Sequence, residues 1–126
     1  PATPVQAGSD AVNQLLQACW EGNDHPRMSA CVARTATQAR TELQRTEAEL
    51  RQRIQHTSER SRAQRQHLLR SLKASARTHA TYRQAMCAQR RALASLGNGE
   101  LDNGLACEAV LDRQRVQALQ ADAGYL

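Results

Sequence analysis

Four cysteines, four histidines, an adjacent Tyr-Arg pair and a short acidic corner are the residues of this chain whose types could carry chemistry. The cysteines stand at positions 19, 31, 87 and 107. None of their gaps is the Cys-x-x-Cys spacing of a redox or zinc site, and separations of 12 and 20 residues are too loose for a zinc finger. An even number of cysteines in a small chain points instead to two disulfides and an oxidising compartment. The histidines, His25, His56, His67 and His79, are scattered. A hydrolase would need a nucleophile with a positioned base, or paired carboxylates in a cleft. No serine sits in a Gly-x-Ser-x-Gly elbow. His56 and His67 could meet at a hairpin tip, but without a Cys or acidic partner at ligand spacing they make no metal site. The sequence therefore predicts a protein without enzymatic activity, cofactor or metal.

Tyr82 and Arg83 project about 100° apart on a helix, so one seam cannot bury both. Tyr82, four residues before Met86, is expected to fill the space between helices. Arg83, four before Cys87, is expected to bind carbonyls or acids of the last helix, with Glu108 and Asp112 the candidates. Arg115 has the same two readings, structural tie or ligand contact. The corner Gly97-Asn98-Gly99-Glu100-Leu101-Asp102-Asn103-Gly104 is expected to present Glu100 and Asp102 to solvent, which makes them candidate partner-binding residues. Its ordinary alternative is a polar connection whose acids face the N-terminus of the next helix.

The elements that must position these residues are helical. Aromatics make up 2% of the chain and Phe is absent, while Ala, Gln, Arg, Glu and Leu abound. Such a composition builds a core of aliphatic and small side chains, which suits packed helices better than a sheet. Residues 1–8 form an expected flexible segment, and 9–126 one helical domain. Ser9 or Asp10 caps a short helix with Val12, Leu15, Leu16 and Cys19 on one face, and Trp20 is expected to anchor it on the core. Gly22 to Pro26 is a turn. From Met28 to His56, Val32, Ala36, Ala39, Leu43, Leu50 and Ile54 make one apolar stripe. A second stripe runs from Leu68 to Leu96. Neither can be buried by a single rod, so the chain is expected to double back near residues 57–62 as an antiparallel hairpin. Gly97-Asn98-Gly99 ends it, and a last helix carries Leu101 to Leu119.

The turns bear on cysteine pairing. Cys19 and Cys31 are centred on residue 25 and Cys87 and Cys107 on residue 97, each inside a recognised turn. Local pairing is preferred, because each bridge then closes a short loop. Cys31 and Cys87 are centred on residue 59, however, so their pairing, with Cys19 bridged to Cys107, stays open.

The 17 basic and 12 acidic residues give a net charge of +5, with acids interspersed among the arginines through most of the chain. Without a recognised nucleic-acid motif or a row of aromatics for stacking, the charge alone does not indicate nucleic-acid binding. No apolar stretch is long enough to span a membrane. The chain begins at Pro1 without an initiator Met, and we expect a secreted or periplasmic protein that has lost a signal peptide.

From Cys19 to Leu119 the sequence resembles the lysozyme inhibitor LprI-like family of small secreted or periplasmic helical proteins. The matching features are Cys19, Met28-Ser29-Ala30-Cys31, Glu42-Leu43-Gln44, Tyr82-Arg83 before Cys87, a Gly-containing turn, and Cys107 followed by Arg115 and Leu119. The chain departs from the pattern at Ala76, a Gln in the family, at His79, usually Trp, at Gln84, commonly acidic, and at Asp112, often Thr. The resemblance implies Tyr82, Arg83, Arg115 and Leu119 as a structural motif. It also implies a protein partner, a lysozyme or another peptidoglycan hydrolase; the alternative is a cell-envelope interaction module without inhibitory activity.

Overall fold

The computed structural model describes residues 8–95 and 99–126. Residues 1–7, nearly all of the expected flexible segment, and 96–98, with two residues of the expected Gly97-Asn98-Gly99 stop, lie outside the described residues. Among the described residues four helices follow one another: α1 (Gly8–Trp20), α2 (His25–His56), α3 (Arg62–Ala94) and α4 (Glu100–Ala123). The chain is all-α, as its composition predicts.

Several helix boundaries have a local cause. Gly22 takes the left-handed conformation, φ +71°, that L side chains avoid, and Asn23 Nδ2 donates to the Cys19 carbonyl at 2.8 Å, closing the end of α1. α2 starts three residues before the expected Met28, because Asp24 is extended and its carboxylate accepts the Arg27 amide at 3.0 Å. Pro26 falls in the first turn, where its missing N–H costs no helical bond. The reversal between α2 and α3 comes where expected. Ser61 caps α3 by accepting the Gln64 amide, and the Gln64 side chain accepts the Ser61 amide in return.

The direction of α4 is legible from its ties. Asp102 meets Ser29 of α2 and Asn103 meets Arg90 of α3. Further along, Arg115 reaches both Glu47 of α2 and Ser75 of α3. Leu119 then joins Leu50, Ile54, Leu68 and Leu72. Numbers rise along α2 and fall along α3, so α4 runs with α2 and against α3. It lies between them, and α2 and α3 touch each other much less than each touches α4. The hairpin is therefore not a tight two-helix seam. Its stripes are buried chiefly on the third helix, which comes close through Gly104, Ala106 and Ala109.

Two apolar clusters result. One joins α1 to the others around both disulfides, with Val12, Leu15, Val32 and Val110; the other joins Leu43, Leu50, Ile54, Val116 and Leu119 at the far end. Neither contains an aromatic residue. The expectation that Trp20 anchors α1 fails: its side chain is 46% exposed and its ring lies edge-on to His25 at a centroid distance of 6.3 Å. Tyr82 is likewise 51% exposed rather than filling space between helices. Tyr82 is left out because α4 packs on the flank of α3 that carries His79, Arg83 and Cys87, whereas Trp20 ends α1 beside His25.

Candidate functional site

Of the residues singled out by the sequence, Arg83, Cys87, Cys107, Glu108 and Asp112 gather where α3 and α4 meet, with His79, whereas Cys19 and Cys31 join α1 to α2. Cys87 is bridged to Cys107 with Cα atoms 5.5 Å apart, and Cys19 to Cys31 at 5.6 Å. Both bridges are the local ones, so the crossed alternative is excluded. His79, Arg83, Cys87 and Arg91 recur every four residues and share one face of α3. Opposite them on α4 stand Glu108 and Asp112, one turn apart.

Asp112 is 2% exposed, among the most enclosed side chains in the protein. Its Oδ1 accepts a hydrogen bond from His79 Nε2 at 3.0 Å, and Arg83 Nε lies 3.1 Å from the same oxygen. That Nε is close enough to neutralise the carboxylate but is not aligned as a hydrogen-bond donor. The imidazole thus supplies the directed bond and the guanidinium the charge. Arg83 Nη2 also approaches Glu108 at 3.7 Å, and Arg91 Nη1 approaches the other Glu108 oxygen at 3.8 Å. The expected partners of Arg83 are thus the observed ones. A buried carboxylate is tolerated only with such compensation.

A His-Asp pair invites comparison with a catalytic relay, which needs a hydroxyl or thiol on the imidazole's other nitrogen. Ser75, one turn before His79, is otherwise committed: it donates to the Leu72 carbonyl at 3.0 Å and accepts from Arg115 Nη2 at 3.1 Å. Arg83 moreover holds the carboxylate that a relay would use. The arrangement is a clamp between helices. Arg115 forms a second one, its Nε donating to Glu47 at 3.3 Å, and Leu119 is buried one turn beyond. Among the described residues, no group of three or more His, Cys, Asp and Glu side chains could hold a metal ion.

The acidic corner differs from the expectation. Asp102 is only 6% exposed; it accepts from Ser29 Oγ at 2.9 Å, with His25 Nε2 3.6 Å away. It points inward because it ties the first turn of α4 to α2. Asn103 Oδ1 ties the same turn to α3 by accepting from Arg90 Nε at 2.9 Å, while Arg90 Nη2 donates to Asn13 of α1 at 2.7 Å. Glu100 stays exposed, and Leu101 beside it is 68% exposed. The presented pair is therefore Glu100 and Leu101, on a turn fixed from beneath. Nearby, Val12, Tyr82, Met86, Leu93, Val110 and Leu111 help to line a groove of about 270 Å³ where α1, α3 and α4 converge.

The sequence offers Asp112 as a partner for Arg83 and His79 as one of four scattered histidines, and it does not pair the two. The structure joins them across 33 residues, His79 Nε2 lying 3.0 Å from Asp112 Oδ1.

Gly104 supports the same interface. A Cβ there would lie 2.6 Å from Arg91 Cγ and 2.7 Å from Cδ, so Arg91 would have to leave Glu108. Gly104→Ala is expected to destabilise by about 1 kcal/mol despite the better helix propensity of Ala, and adding Arg91→Ala to restore that loss. Thermal unfolding of the two single variants and the double variant measures this; additive effects would contradict the contact.

A family model described as Lysozyme inhibitor LprI matches residues 19–119. No curated protein and no solved structure matches the chain.

Proposed function

The chain belongs to the lysozyme inhibitor LprI family, and on that premise we propose that it is a secreted or periplasmic, non-enzymatic protein that binds and inhibits a lysozyme or another peptidoglycan-cleaving enzyme. One observation carries the reading to particular residues. Glu100 and Leu101 face solvent on the first turn of α4, while Asp102 and Asn103 bind that turn to α2 and α3 and the Cys87–Cys107 bridge lies one further turn along. An element that enters an enzyme cleft gains affinity when its shape is set before binding, since little is then lost in ordering it. Glu100 offers a charge to a cationic enzyme surface although the whole chain is +5, because local complementarity outweighs net charge. The two disulfides suit an oxidising compartment, and no helix among the described residues is long and apolar enough to cross a membrane.

The test is a turbidity assay in which oxidised protein is titrated into c-type and g-type lysozymes acting on cell-wall suspensions. Slower clearing is expected, and Glu100→Ala with Leu101→Ala should weaken it by about tenfold or more, the effect of removing an interface anchor. No slowing at a large molar excess over both enzymes removes the inhibitor reading for these classes. Inhibition that survives the double variant but is lost on Met86→Asp with Leu93→Asp moves the contact to the groove. The groove also favours the second reading, a cell-envelope interaction module without inhibitory activity.

A further inference from the structure

We propose that the outer face of α3 binds a linear acidic glycan. α3 carries eight basic residues, Arg62, Arg65, Arg70, Lys73, Arg77, Arg83, Arg90 and Arg91, and no acid in its 33 residues. α2, of nearly the same length, offsets six arginines with three glutamates, of which Glu49 pairs with Arg45 four residues away as a solvated surface would have it. Half of the α3 cations serve the fold. Arg65 donates to the Arg60 carbonyl, Arg83 and Arg91 meet Glu108, and Arg90 bridges Asn13 and Asn103.

The other half do not. Arg62, Arg70, Lys73 and Arg77 are all exposed, and none joins an ion pair among the described residues. At 100° and 1.5 Å per residue they fall within an arc of about 80° and along about 22 Å of helix. Lys73 lies three residues from Arg70 and four from Arg77, spacings at which like charges repel and weaken a helix. The chain keeps this unneutralised row on a helix whose only buried side chain is Cys87. An anion laid along the row would relieve the repulsion.

The surroundings select among anions. Tyr82 borders only the Arg77 end of the row, and no aromatic lies along Arg62, Arg70 and Lys73, so a single-stranded nucleic acid finds no succession of stacking platforms. Tyr82, Met86 and Leu93 lie on nearly the opposite side of α3, so a bilayer finds no apolar anchor beside the charges. A narrow, straight row made mostly of guanidinium forks suits a linear polymer with a carboxylate on each repeat. This surface is separate from Glu100 and Leu101 and does not depend on the enzyme-binding reading.

The experiment is a salt series of fluorescence anisotropy titrations of the full chain with labelled oligogalacturonate. Duplex and single-stranded DNA and phosphatidylglycerol vesicles run in parallel. Binding of the oligogalacturonate is expected, and the variant R62Q/R70Q/K73Q/R77Q should lose about tenfold or more at low salt, with its salt slope falling by up to about one per cation removed. A variant with the same charge removed from exposed positions of α2, R34Q/R40Q/R51Q/R53Q, should bind within about twofold of the parent. The replaced side chains are exposed, and circular dichroism checks that both variants are folded. The proposal is overturned if the oligogalacturonate does not bind, if both variants lose equally, or if DNA or vesicles bind more tightly.

Discussion

Asp112→Ala is expected to lower the free energy of unfolding by about 3 kcal/mol, the low end of the cost of breaking a buried ion pair. The low end applies because the side chains of His79 and Arg83 keep 15% and 17% of their exposure and water can partly solvate them once the carboxylate is gone. For a chain of this length the loss corresponds to a fall in melting temperature of roughly 10 °C. Asp112→Asn should cost less, since an amide oxygen still accepts from His79 while Arg83 keeps Glu108 as its remaining counter-charge. The decisive variant is triple: Asp112→Leu with Arg83→Met and His79→Leu replaces the carboxylate and both groups that meet it, and should recover most of the loss. A fall under about 1 kcal/mol for Asp112→Ala would show that the clamp contributes little.

Replacing Cys87 and Cys107 together by Ala is expected to cost about 3 kcal/mol, the chain-entropy value for a bridge across 20 residues. Replacing Cys19 and Cys31 should cost nearly as much, because the effect depends only weakly on loop length. The two losses should differ in place. Cys87 is the only buried side chain of α3, so without its bridge the C-terminal half of that helix keeps only the charge clamp and Arg90. Amide hydrogen exchange should accelerate along residues 77–94 while Leu50, Ile54 and Val116 at the far end stay protected. Uniform acceleration across all four helices would mean that the bridge stabilises only the unfolding equilibrium of the whole domain. Loss of the Cys19–Cys31 bridge should instead expose α1.

The parts of the fold that follow from local rules were legible in the sequence. Turn residues placed the corners, apolar spacing placed the helices, and the symmetry of cysteines about those corners favoured the observed pairing. The Ser61-x-x-Gln64 box was equally readable and would have fixed the start of α3 to the residue. What could not be read was which flank of a stripe meets a neighbour. Tyr82 and Met86 lie on the apolar stripe of α3, yet α4 settles on the flank bearing His79, Arg83 and Cys87. That choice depends on contacts between residues about 30 apart. It also depends on Gly104 and Ala106, which give no periodic signal of their own. Asp102 shows the same limit from the polar side. Acidic residues near a glycine turn look solvated until Ser29, 73 positions away, is found beneath one of them.

The neighbour-to-neighbour order of the disulfides has a consequence for biogenesis. Four thiols admit three pairings, and this chain uses the one that a one-dimensional search reaches first. A polypeptide delivered from its N-terminus presents Cys19 and Cys31 together, then 55 intervening residues before Cys87. At about 5–20 residues per second, that interval gives the first pair a lead of roughly 3–11 s over any competitor. Oxidation within the lead leaves Cys87 and Cys107 with no partner but each other. Oxidative folding is therefore expected to proceed with an oxidant alone, without a catalyst that reshuffles bridges.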